Sequence, residues 1–184
     1  VFLDKMGRKL AKEAEGKEII VSGAVVKKKK EEWFKVKGYT FIFTGTLSVE
    51  RDDKNKIKAV KLSTDGGSGV LPIIQTGAVK KAAEKGEGLK FRVTGVLTQK
   101  DKASHIKVKS IAEIKTFRGE IKTVIDKKGK LRSSKLTVTE GKKKTVYSIY
   151  LDAKGQDFAC SNTSGGVVVT GILMKKYIRV LEYR

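Results

Sequence analysis

Apolar and polar residues alternate along most of this chain, and that period of two predicts strands rather than helices. Phe34, Val36 and Gly38 share one face of a run, as do Ile106, Val108 and Ser110 of a second, with lysines and rings on the other face. Three more strands are expected at 39–48, 56–63 and 70–75, joined by the polar turns ERDDKNK and TDGGSG. After Thr116 the segments FRGEIKTVID, LRSSKLTVTE and TVYSIYLDA read the same way. Helical spacing occurs in two places, at Leu3, Met6, Leu10 and Ala14 and at Val79, Ala82 and Ala83. Asp4 is placed to cap the first helix, and Gly16 and Gly86 to end the two. Residues 154–165 show no such spacing and are expected to form a loop.

The pattern repeats. GRKLAKEAEGKEIIVSGAVV, from Gly7, matches GAVKKAAEKGEGLKFRVTGVL, from Gly77: a short helix, a glycine stop, and a strand with a central Val-[Ser/Thr]-Gly. GGVVVTGILMKKYIRVLEY is a third copy of the strand. Each copy runs on into another alternating strand, and Trp33, His105 and Tyr177 hold one position in the three. A strand that coils sharply needs a residue without a Cβ at the bend, which accounts for Gly23, Gly95 and Gly171. The expected order is three strands, helix, two strands over 39–115, then the same order without the helix over 116–184. Residues 1–38 supply only helix and hairpin. Either three strands ahead of it are missing from this stretch, or, as an orphan hairpin is marginal in water and as is favoured here, the half-repeat packs on the barrel that follows it or on another chain, including a second copy.

This order, with GKEIIVSGAVVK as its signature strand, resembles the OB-fold, and in particular the small bacterial OB proteins grouped as tRNA-anti-like. The resemblance implies a mainly β protein of tandem five-stranded OB-like barrels with one or two short helices. It also implies a ligand path across strands two and three, bounded by the loops 1–2 and 4–5. Many proteins of that group are exported, and a chain starting at Val1 is compatible with a removed signal as well as with a cytoplasmic origin.

Charge narrows the partner class. With 41 Lys and Arg against 20 Asp and Glu, the formal net charge is +21, enough to draw polyanions from a distance. Most of it is lysine, a hydrated point charge, where sequence readout favours the bidentate arginine. The expected partner is therefore nucleic acid or another polyanion, bound with little sequence preference. The alternative is an exported domain that acts through protein or envelope contacts, with its charge serving solubility.

Candidate contacts are Lys27, Lys28, Lys29 and Lys30 at the tip of the first hairpin, and Trp33 just beyond them. Lys56 and Lys58 on the middle barrel's second strand, and Arg132 and Tyr150 in the last barrel, complete the set. Tyr147 and Tyr150 have opposite parity, so one of the two faces outward. Outward rings are otherwise scarce on strands two and three, which counts against a stacking platform. No catalytic residue, cofactor or metal site is expected. One cysteine and one histidine make neither a disulfide nor a zinc site. Asp65–Gly69 is a glycine-rich turn without the ending of a phosphate loop, Asp52 and Asp53 lack calcium-loop spacing, and His105 has no serine–acid partners. No apolar run is long enough for a transmembrane helix.

Overall fold

The computed structural model describes residues 1, 3–28, 31–65, 69–100 and 103–184, without the side chains of Lys28 and Lys100. Its elements run α1 (Lys5–Glu13), β1 (Ile19–Lys28), β2 (Glu31–Arg51), β3 (Ile57–Thr64), β4 (Val70–Ile73), α2 (Gly77–Lys85), β5 (Lys90–Lys100) and β6 (Ala103–Ile125). They continue with β7 (Leu131–Glu140), β8 (Lys143–Ile149), α3 (Ala153–Ser161), β9 (Ser164–Met174) and β10 (Tyr177–Tyr183). The chain divides into two compact units, Val1–Ile111 and Ala112–Arg184, with the boundary inside β6.

In the N-terminal unit the pairings close a ring, β2–β3–β4–β6–β5 and back to β2. β2 with β3, β2 with β5 and β3 with β4 are antiparallel, and β4 with β6 is parallel at Ile73 and Ile106. The C-terminal unit closes the same ring as β6–β7–β8–β10–β9 and back to β6, again with one parallel contact, Ile178 opposite Ile149. Each ring is a five-stranded OB-like barrel with its helix inserted between strands three and four. Alternate residues of each strand fill the two cores. Phe41, Phe43, Leu62, Phe91 and Ile106 sit in the first; Phe117, Leu136, Phe158, Val169 and Ile178 sit in the second.

Residues 154–165, expected as a loop, hold most of α3, so there are three short helices among the described residues and the last barrel does not lack one. The reason is local. Asp152 accepts the amide of Gly155 and starts the turn. Gly155, Phe158 and Ala159 then face the core at the positions that Val79, Ala82 and Ala83 hold in α2. A glycine in the first turn hid the helical period. A side chain there would meet the carbonyl of Tyr150, with its Cβ 1.9 Å from the oxygen.

The glycine repeat has the mechanical meaning expected of it. A Cβ on Gly95 would stand 2.5 Å from the Lys107 carbonyl oxygen, and one on Gly171 2.5 Å from that of Arg179. In both places the next contact is the γ-methyl of a fully buried isoleucine, Ile106 or Ile178. The two glycines therefore occupy equivalent sites, where the fifth strand crosses tightly over the fourth.

A second duplication is finer. Asp52 Oδ1 accepts the amides of Lys54 and Lys56, and Asp126 Oδ1 those of Lys128 and Lys130. Asn55 and Gly129 take positive φ at matching places in these turns, where an unbranched polar residue or glycine is tolerated. The two first hairpins are thus the same device. The lysine amides, Lys130 first and Lys128 after it, together with Arg132, hold the Asp126 carboxyl below its ordinary range.

Helix α1 is pinned to β2 by the Tyr39 hydroxyl, which donates to Glu13 Oε2 at 2.6 Å. Burial, then the hydrogen bond and charge of Glu13, push the phenol up from 10.0 to about 12. The folded chain holds this proton more tightly than the unfolded chain does. The contact therefore contributes fully below pH 10 and fades as pH climbs toward 12. Tyr39→Phe is expected to cost about 1 kcal/mol of α1 docking at neutral pH. Amide exchange at Gly7 and Leu10 reads that loss. The wild-type-minus-variant phenolate absorbance should titrate near pH 12, and a midpoint near 10 would contradict the contact.

Candidate nucleic-acid interface

The anticipated contact residues separate into two groups. At the first hairpin Lys27 lies 3.3 Å from Glu32 and Lys28 is opposite Glu31, so the lysine run faces an acidic pair. Lys29 and Lys30 lie outside the described residues. Trp33 is half-buried opposite Val26. On the N-terminal barrel Lys56 is exposed at the turn of the first hairpin, while Lys58 and Lys61 both reach Glu50, at 3.5 and 3.7 Å. The outer face of β3 and β4 carries Ala59, Lys61, Ser63, Val70 and Pro72, with no aromatic side chain among them.

The C-terminal barrel differs. Tyr147 turns inward, its ring centroid 5.6 Å from that of Phe117, so Tyr150 is the outward member of the pair, at 46 % exposure. Closure of the ring then brings in a second tyrosine. β10 runs parallel to β8 with Tyr177 opposite Ser148 and Ile178 opposite Ile149. Both isoleucines are buried, so Ser148, Tyr150, Tyr177 and Arg179 all project from the outer face. Tyr177 is 50 % exposed. Register extends the row: Lys122 opposes Lys135, Lys135 opposes Ser148, and Ser148 opposes Tyr177. Val146 and Val124 on the same face are exposed as well, which gives it apolar ground between the charges.

Lysines frame this face. The first hairpin turn supplies Lys127, Lys128 and Lys130, and the β9–β10 turn supplies Lys175 and Lys176, all exposed. These turns are the 1–2 and 4–5 loops of the barrel. Among the described residues none of these five is in an ion pair; the unit's ion pairs use Lys115, Arg132, Lys154 and Arg179 instead. Arg132 is held by Asp126 Oδ2, with its Nη2 at 2.7 Å and its Nε at 2.8 Å. It is the extra residue of a register shift, passed over between Ser133 and Leu131, so the alternation that sets Lys135 on the tyrosine face does not place it there. Arg179 is positioned beside Tyr150 by its 2.9 Å bond to Asp152, the residue that caps α3.

Sequence reasoning missed Tyr177 as a partner of Tyr150. Its alternation was legible, but the parallel contact that sets β10 beside β8 is made between segments far apart in the chain. Among the described residues no cluster of three or more His, Cys, Asp or Glu is placed to hold a metal ion, and no helix is long and apolar enough to cross a membrane.

No protein-family model matches the chain. No curated protein matches it. Among solved structures, a deletion mutant of the single-stranded DNA binding protein from Thermus aquaticus is similar at 11 % identity, over 91 % of this chain and 90 % of that one. The TM-score of 0.25 is too low for that likeness to carry any argument about this chain.

Proposed function

We propose that the protein is a non-enzymatic binding module, and that its C-terminal barrel takes single-stranded nucleic acid across β7, β8 and β10 with little sequence preference. The observation that carries this reading is the pair of outward tyrosines on neighbouring strands, set between two turns whose lysine side chains form no ion pair among the described residues. Bases stack on exposed rings in a sequence-tolerant way, and lysines track the phosphates. A duplex keeps its bases stacked inside, so it would meet the lysines alone. The carboxylates nearest the face have structural work: Asp126 closes a turn and Asp152 caps a helix.

Fluorescence anisotropy with labelled oligothymidylate tests this. Affinity in the micromolar range or tighter is expected at low salt. Five phosphate contacts would give a slope of log K against log salt of about −3.5, from roughly −0.7 per contact on a single strand. Binding that is absent at low salt, or equal for single strand and duplex of the same length, would overturn the proposal.

A further inference from the structure

The N-terminal helix and hairpin match the second half of each barrel. Gly23 sits against the Lys35 carbonyl as Gly95 and Gly171 sit against theirs, with Phe34 where Ile106 and Ile178 stand. The entry to the helix matches too. Val1-Phe2-Leu3-Asp4 repeats Ile149-Tyr150-Leu151-Asp152, and Gly7 repeats Gly155. Asp4 accepts the Gly7 amide as Asp152 accepts that of Gly155.

In both complete barrels strand four also bonds strand one, antiparallel, and strand five bonds strand three, parallel. The N-terminal copy lacks both partners: among the described residues β1 pairs with β2 alone, and residues 31–38 of β2 with β1 alone. Its inward side chains remain partly open as a result. Val21 is half-buried where Val93 and Val169 are fully buried; Phe34 is half-buried where Ile106 and Ile178 are fully buried. Val25 is 62 % exposed. An open strand edge beside uncovered apolar side chains is a docking site for further strands.

We infer that this surface takes a three-stranded antiparallel β-meander, joined to the chain at Val1, that completes a third five-stranded barrel. The first strand of the meander lies antiparallel to β1, and its third lies parallel to residues 31–38. The junction follows from register. Val1 stands where Ile73 and Ile149 end the third strands of the complete barrels, and the link from there to the helix is the same in length. The meanders of both complete barrels enter in this order, directly ahead of their helices. This inference does not rest on nucleic-acid binding.

The test compares residues 1–184 with a protein that carries an added copy of residues 112–148 ahead of Val1. Amide exchange in β1 and sedimentation are the readouts. In the unextended monomer the β1 amides that point away from β2 should exchange about 100-fold faster than those of Val93 and Val169. In the extended protein they should be protected about 100-fold more, still as a monomer. Val25→Lys should cancel that gain while leaving the unextended chain unchanged. Equal protection of β1, Val93 and Val169 in the unextended monomer would overturn the inference, and so would a folded extended protein with no gain. Protection of β1 that grows with protein concentration, alongside a sedimenting dimer, would also overturn it by showing a second copy on the edge.

Discussion

Gly171→Ala is expected to unfold the C-terminal barrel selectively. The added methyl would meet the Arg179 carbonyl oxygen at 2.5 Å and the Ile178 γ-methyl at 3.0 Å. The first of these is backbone, so the clash is relieved only by parting β9 from β10. Overpacking of this kind costs about 3 kcal/mol, a large share of the stability of about 4–10 kcal/mol expected for a barrel of this size. The unit's melting temperature should fall by about 12–24 °C. Gly166→Ala is the control, because nothing lies within 4 Å of the site a Cβ would take there. It should be neutral or slightly stabilising, since glycine inside a strand costs about 0.5–1 kcal/mol. Amide exchange at Val169 and Ile178 separates the two variants. Equal protection in both would show that the strand crossing tolerates a side chain and that the glycine repeat has no mechanical cause.

The second large effect concerns the ligand. Replacing Tyr150 and Tyr177 together by alanine removes both rings from the proposed face without touching a charge. Each stacked base contributes about 1–3 kcal/mol, so the double variant should bind oligothymidylate at least about 30-fold more weakly. The salt slope should not change, because the phosphate contacts remain. Changing Lys127, Lys128 and Lys130 to glutamine should act the other way, flattening the slope by about 2. Both tyrosines are half-exposed, so folding should survive, and thermal melting checks it. A double variant that binds as tightly as the parent would leave only unspecific lysine attraction.

These two predictions draw on features of unequal visibility in the sequence. The Val-[Ser/Thr]-Gly strands were plain because their cause is local: one residue must lack a Cβ at the bend, and its neighbours must alternate. The matching first hairpins were present too, as DDKNKIK and DKKGKLR, but their kinship rests on an aspartate that closes its own turn, a weak signal beside a run of lysines. Helix α3 was missed because Gly155, which the Tyr150 carbonyl demands, interrupts the helical pattern. The tyrosine face was missed for a different reason. Parity alone leaves one of Tyr147 and Tyr150 outward, and only the parallel closure of β10 on β8 brings Tyr177 next to Tyr150. The lysine run at residues 27–30 drew attention by its density, although Glu31 and Glu32 follow it directly and Lys27 pairs with Glu32.

Charge alone is a poor guide in this molecule. Lys58 and Arg132 are each paired with a carboxylate, whereas among the described residues the five lysines of the two C-terminal turns are not. Exposed ion pairs add little to stability, about 0–1 kcal/mol, but they lower the positive potential that a phosphate would meet. A face rich in unpaired lysine beside flat rings is therefore a better candidate than the densest basic run.

The most direct measurement is a residue-resolved NMR titration of the full chain with a short oligothymidylate at low salt. Shifts are expected to concentrate at Lys135, Ser148, Tyr150, Lys175, Lys176 and Tyr177, with the outer face of β3 and β4 silent. Shifts spread evenly over exposed lysines of both units, or confined to the first hairpin near Trp33, would contradict the proposed interface.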